Sequence, residues 1–467
     1  MRLLQRHRPF AILGLMPPLD RRHFLSRAAR YGGGALAGFG ALQALLDLGA
    51  LSSRHLHRAR RGEGGYGPLL PAGEDLALPP GFEYVRFGET GFLMDDGVPS
   101  PAAPDGMGAI PLPNGNIRLI RNHELLGRLP GTPHYRRPYD PAPGGGTTSL
   151  EVDPETRELV RSFQTLEGTV RNCAGGVTPW GSWLSCEEAT AGHDMGLLRP
   201  HGYVFEVPAA AEEPVEPVPL RDMGRFVHEA VAVDPATGTV YLTEDQTRGG
   251  FYRFLPHVPG GADRPADLAA GGRLQMLAVE GQRRYDTARG QIVGRPLPVR
   301  WVDIPDPDPA DAEERPYGVF VQGWLRGAAR FSRVEGCWYA EGAICFTSTN
   351  GGAAGLGQVW EYRPGGQEDG ELRLVFESPD PAVLQYPDNV CVSPRGGVVL
   401  CEDGGAPNHV RGLTPDGRIF DFARNIASGS EFAGATFSPD GRTLFVNIQD
   451  RPGATFAIWG PWEDGAL

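Results

Sequence analysis

The chain has 467 residues, 66 of them Gly and 44 Pro, with a formal net charge of −13. Every basic side chain except histidine is Arg, and the absence of Lys excludes both a Schiff-base lysine and a Walker-type phosphate loop. Residues 1–61 hold eleven Arg and two acids, leaving 33 Arg against 55 acids, a net of −22 that argues against nucleic acid as a partner and suits a protein that gathers cations.

Near the N-terminus, Asp20-Arg21-Arg22-His23-Phe24-Leu25 resembles a twin-arginine export signal. The weakly apolar stretch from Ala35 to Leu51 is broken by glycines and by Asp47, so no stable membrane span is expected. Residues 1–61 therefore read as a twin-arginine signal and flexible N-terminal segment, with an attached amphipathic helix as the alternative. The twin-arginine export machinery becomes an expected partner, and the periplasm or the outside of the cell the expected location. Six Cys are too few for a disulfide scaffold; pairing of Cys337 with Cys345, and of Cys391 with Cys401, stays open.

From residue 62 onward one unit recurs. An apolar strand runs into a Pro/Gly turn, a second apolar strand follows, and polar residues end it. The copies are AIPLPNGNIRLIRNHE (109–124), GGVTPWGSWLSCEE (175–188), AVAVDPATGTVYLTED (230–245), CWYAEGAICFTSTN (337–350), NVCVSPRGGVVLCED (389–403) and ATFSPDGRTLFVNIQD (435–450). Turns such as D-P-A-T-G and S-P-D-G are hairpin chemistry, because Pro presets φ and Gly permits positive φ. Six copies at the spacing of four-stranded blades predict an all-β fold, a six-bladed β-propeller with loop insertions. Residues 62–467 are expected to form one domain, with 256–330 as an insertion. A β-sandwich with ordinary hairpins is the competing architecture.

In a propeller, the residues leading into each first strand cluster near the axis. Here they include Asp105, Cys173, Glu229, Glu335, Asp388 and Glu431. Four second strands end in acids: Asn122-His123-Glu124, Cys186-Glu187-Glu188, Thr243-Glu244-Asp245 and Cys401-Glu402-Asp403. One such acid alone is most often a turn or cap residue. Many acids converging on one axis repel one another and raise each other's pKa, which cations relieve. Oxygen-rich sites suit Ca²⁺, and a single thiolate among carboxylates suits a softer or higher-valent ion such as iron. Arg333 and Glu335 sit two apart; a guanidinium beside such ions is placed to grip a phosphate oxyanion, the alternative being an ordinary surface ion pair.

Together the export signal, the block NCAGGVTPWGSWLSCEE (172–188), Gly224-Arg-Phe-Val-His-Glu-Ala230, Arg333-Val-Glu335 and Cys401-Glu-Asp-Gly404 resemble the PhoX-type alkaline phosphatase family. The resemblance covers about residues 80 to 450. It implies a six-bladed propeller with an axial cluster of Fe³⁺ and Ca²⁺, and hydrolysis of small phosphomonoesters. Carried over by motif, Cys173 would ligate iron, with Glu188, Glu229 and Glu335 as carboxylate ligands. Arg333 would hold the substrate phosphate. Asn122, Glu124, Asp388, Glu402 and Asp403 would lie on the calcium side. The middle residue of Arg-Val-Glu departs from the family, where Pro is expected. Two other classes remain open: a calcium-dependent propeller hydrolase of lactonase or phosphotriesterase type, which needs no Cys173, and a non-enzymatic envelope scaffold.

Overall fold

The computed structural model describes residues 65–128, 135–366 and 368–467. The twin-arginine-like stretch and the rest of 1–61 lie outside the described residues. Among the described residues, no helix is long and apolar enough to cross a membrane. The arrangement is all-β and propeller-like, built from consecutive antiparallel units.

The first unit comprises Pro104–Pro111, Ile117–His123, Gly145–Val152 and Leu159–Thr169. The second holds Asn172–Val177, Ser182–Glu187 and Val204–Pro208. The third runs His228–Val233, Val240–Glu244, Phe251–Val258 and Asp267–Val279. The fourth is Val334–Ala340, Ala343–Ser348, Gln358–Pro364 and Asp369–Glu377. The fifth is Pro387–Val392, Val398–Glu402, His409–Leu413 and Ile419–Asn425. The sixth takes Phe432–Phe437, Leu444–Ile448 and Ala454–Trp459 from the C-terminal end, and Glu83–Phe87 from the other end of the body. That last pairing ties the two ends of the described body together.

Residues 256–330 contribute part of the third unit's outer strands, an extra strand, Pro296–Asp303, and a short helix, Gly318–Leu325. The extra strand pairs with Asp267–Val279 on one side and Asp369–Glu377 on the other, fusing the third and fourth units into one nine-stranded sheet.

Apolar side chains fill the spaces between consecutive units. Trp183 and Phe205 pack against Ile120 and Leu166 of the first unit. Phe251 and Leu277 meet Phe346 and Trp360 between the third and fourth. Phe445 and Ala457 of the sixth meet Leu119 and Leu150 of the first. Truncating one such aromatic to Ala typically costs about 3–5 kcal/mol, so these interlayers carry much of the stability. The hairpin turns behave as their sequences require: Glu341 and Gly342 both take positive φ, 48° and 76°, the two-residue turn whose twist suits a hairpin.

The strand register settles the thiol question. Trp338 faces Cys345 while Cys337 faces Phe346, so Cys337 and Cys345 are one step out of register. All six Cys are free.

Candidate metal centre

The same local device opens every unit. The first residue of the first strand pairs with the last residue of the second strand: Pro104 with His123, Asn172 with Glu187, His228 with Glu244, Val334 with Ser348, Pro387 with Glu402 and Phe432 with Ile448. The register then breaks, directly after that residue in five units and one residue later in the sixth. Such a bulge bends the strand and re-aims the residue within it. That residue is Asp105, Cys173, Glu229, Glu335 or Asp388 in the first five units, and Gly434 in the sixth, where Ala433 is still paired with Asn447.

Three overlapping groups result. Cys173, Glu188 and Glu229 form one; Glu229, Glu335 and Asp388 the next; Asp388, Asp403 and Glu431 the third. Within each, one ligand atom per residue lies within 4.8 Å of the others. Glu229 and Asp388 each belong to two groups, so the three form one continuous chain of donors. The Cys173 thiol donates to Glu229 Oε1 at 3.1 Å.

This crowding is electrostatically costly. Burial first, then Asp388 and Glu188, hold the Glu229 carboxyl well above the usual range. Burial, then Asp245 and Asp388, do the same to Glu335. Burial and Asp403 push Asp388 up to about 7 and Glu431 up to about 11. Burial and Asp105 push the Cys173 thiol up as well. Glu229 Oε2 is buried with no hydrogen-bond partner. A buried carboxylate oxygen without a donor costs free energy unless a proton or a cation faces it. The donor set therefore fits metal ions: a sulfur-containing group at one end and all-carboxylate groups toward the other, the division expected of a softer ion beside hard ones.

The tandem acids divide by strand alternation, since one step along a strand reverses the face. Glu187 turns away and accepts from Val170 N, Gly202 N, Tyr203 N and His201. Its neighbour Glu188 joins the cluster. Glu402 likewise turns away, held by Gln385 N, His409 N and Arg411. Its neighbour Asp403 joins. Glu402 thus sits in a structural ion pair outside the donor groups. Asn122 is also outside them: Nδ2 donates to Cys173 O and Ala174 O, and Oδ1 accepts from Trp183 Nε1 and Ser185 Oγ. Asn122 fixes the backbone under Cys173. Glu124 lies at the margin, accepting from Arg171 Nε at 2.8 Å and Gln449 Nε2 at 2.6 Å.

Arg333 borders the chain of donors. Its Nε and Nη2 bind both oxygens of Asp245, at 2.9 and 3.2 Å, and Nη2 lies 2.7 Å from Glu335 Oε1. That last contact is an ion pair without hydrogen-bond alignment, since Glu335 Oε1 has no hydrogen-bond partner. Arg333 takes a left-handed φ of 49°, and Arg171 does so at 45°. Both immediately precede a first strand, so they occupy the same station two units apart. Arg171 bridges Glu124 and Glu188.

Cys173, Glu188, Glu229, Glu335, Asp388 and Asp403 are thus brought together from four units, with Arg333 beside them. Sequence reasoning did not assign Glu431, Asp245, Asp105 or Arg171 to the site. The repeat phase carried the signal for the three acids; nothing in the sequence alone distinguished Arg171.

A family model described as alkaline phosphatase PhoX matches residues 132–453. Among curated proteins none matches. Among solved structures, the chain is similar to Pseudomonas fluorescens PhoX in complex with vanadate, a transition-state analogue. The identity is 18%, the match covers 85% of this chain and 98% of that one, and the TM-score is 0.64. It is also similar, at 12% identity and a TM-score of 0.42, to a gluconolactonase from Xanthomonas campestris, over 85% of this chain and 98% of that one. The family match spans more than two thirds of the sequence, and the chain belongs to the alkaline phosphatase PhoX family and, as a member, is a phosphomonoesterase.

Proposed function

We propose that the chain hydrolyses small phosphomonoesters with a cluster of iron and calcium ions held on the axis of a six-bladed propeller. The observation that carries this reading is the continuous donor chain with its unpartnered Glu229 oxygen. Six units, each opening on a register break, displaced by one residue in the sixth, support the blade count. We take residues 62–467 as one domain.

Iron would be held at Cys173, Glu188 and Glu229, where the thiol lies. Calcium would be held toward Glu335, Asp388, Asp403 and Glu431. When bound, these ions supply positive charge for the phosphoryl oxygens and a competent nucleophile at modest pH. The remaining work falls to the chain. Asp245 grips Arg333 through two hydrogen bonds and so fixes the plane of its guanidinium. Arg333, a third exposed, then presents its remaining N–H groups to the non-bridging oxygens of a phosphoryl group. Asn122 holds the backbone of Cys173, which fixes the point from which the thiol reaches Glu229. The inner-strand carboxylates are carried on bulges rather than on long loops, which limits the reorganisation needed as charge develops.

Export by the twin-arginine route, with action in the periplasm or outside the cell, completes the reading. It rests on Asp20 to Leu25 and on family membership.

The experiment is hydrolysis of p-nitrophenyl phosphate by protein loaded with iron and calcium. Turnover that disappears on chelation and returns with the ions supports the reading. Absence of turnover in fully loaded protein would sink it.

A further inference from the structure

A cavity of about 530 Å³ opens beside the donor chain. Glu431, a member of the third donor group, forms part of its wall, and so does Arg171, which is bonded to Glu188 of the first group. The cavity therefore touches both ends of the cluster. No side chain described above as a metal or phosphate ligand fills it.

Its walls have two characters. Ala103 and Leu126 supply an apolar side, and Leu126 is 44% exposed. Arg171 and Arg451 supply two guanidinium groups. The same wall carries three acids, Glu124, Glu431 and Asp450. The acids on the same wall are already engaged. Glu124 spends one oxygen on Arg171 and the other on Gln449. Asp450 Oδ1 accepts from Arg451 N at 2.6 Å. Glu431 belongs to the ion-binding set. By contrast, the Arg451 guanidinium has no hydrogen bond or ion pair among the described residues, and Arg171 Nη1 makes no hydrogen bond among them.

We infer that this cavity receives the leaving alcohol, and that it selects phosphomonoesters whose alcohol carries a second oxyanion, a carboxylate or a phosphate, gripped by Arg451 and Arg171. A phosphoryl group seated between Arg333 and the cluster leaves its ester oxygen to continue into space. The cavity adjoining Glu431 offers a hydrophobic side together with the guanidinium groups of Arg171 and Arg451. An apolar scaffold with an anionic far end matches both. A neutral alcohol would make no ion pair with Arg451. Arg171, already paired on its Nε and Nη2 side, has Nη1 left to donate; Arg451 has its full fork.

This inference rests on the phosphatase reading, so its test reads binding rather than turnover. Three phosphonates that cannot be hydrolysed serve as probes: 4-(phosphonomethyl)benzoate, its carboxamide, and 1,4-phenylenebis(methylphosphonate). Binding to the metal-loaded protein is measured by calorimetry. The benzoate or the bisphosphonate should bind about tenfold more tightly than the carboxamide, the scale of one charge-assisted hydrogen-bonded contact. A gain for the benzoate alone assigns a carboxylate, and a gain for the bisphosphonate alone assigns a phosphate. Arg451→Gln, on an exposed side chain, should bring the preferred anion to within about twofold of the carboxamide. Arg171→Gln should do the same in part. Equal affinities for all three probes in the unmodified protein would overturn the inference. So would a preference that survives both substitutions. Loss of hydrolysis with the binding preference intact would instead count against the phosphatase reading alone.

Discussion

Cys173 and Glu229 sit at the same station of neighbouring units, and Cys173 Sγ lies 3.1 Å from Glu229 Oε1. A soft donor and a hard donor thus share one end of the donor chain. If that end holds iron, Cys173→Ser should remove most of the iron while leaving calcium at the all-carboxylate groups. Elemental analysis of the variant decides the point. Iron retained in full would show that the thiol is not a ligand.

Arg333 is clamped by Asp245 and stands beside Glu335. Its removal should spare the metals and damage phosphoryl transfer. Arg333→Ala should lower kcat on p-nitrophenyl phosphate by about 10²–10³-fold, the usual loss for one preorganised donor. Metal content is measured alongside. Unchanged kcat at unchanged metal content would take Arg333 out of the chemistry.

The inner strands approach too closely for side chains at certain points. A Cβ on Gly336 would lie 2.6 Å from Val390 N and 2.7 Å from Asp388 O, both backbone atoms of the neighbouring unit. Gly336→Ala should therefore destabilise the fold by roughly 1–3 kcal/mol in urea unfolding, and loosen Asp388 with it. Unaltered stability would mean that the first strands of the fourth and fifth units are not packed this way.

Glu244 illustrates the cost of a buried acid that no ion relieves. Burial pushes it up to about 8, against hydrogen bonds from Tyr252 Oη and Gly250 N that favour its charged form. Its folded-state value exceeds the unfolded value of 4.5. The protonated carboxyl is therefore fully tolerated below about pH 4.5, and stability drains away as pH rises toward about 8. Glu244→Gln removes that titration. The variant should gain on the parent protein from about pH 4.5 to about pH 8 in thermal unfolding, with a slope of at most about 1.4 kcal/mol per pH step of one, and the difference should level off above that. A difference between the two proteins that stays flat with pH would contradict this.

Much of this molecule was legible from sequence because its pattern is repeated. The turns at Asp234 to Gly238 and Ser438 to Gly441, flanked by apolar runs, announced hairpins, and the phase of the copies placed acids at one station. What the pattern could not resolve was which acid of a tandem pair faces inward. Glu187 and Glu188, or Glu402 and Asp403, differ only by one step along a strand, and the bulge decides which face each one takes. Glu402 read as a candidate ligand because its structural partner, Arg411, lies nine residues away on the next strand. Asn122 read the same way because its four hydrogen bonds reach a different unit. Arg171 left no mark at all. Its importance comes from sharing a backbone station with Arg333, and only the strand starts reveal that.

The most direct measurement is elemental analysis of the protein isolated from its native host, with phosphomonoesterase activity followed on the same samples during chelation. Iron and calcium present together, and activity falling in step with their removal, is the expected result. Full activity in protein shown to contain neither ion would contradict a catalytic role for the chain of donors from Cys173 to Glu431.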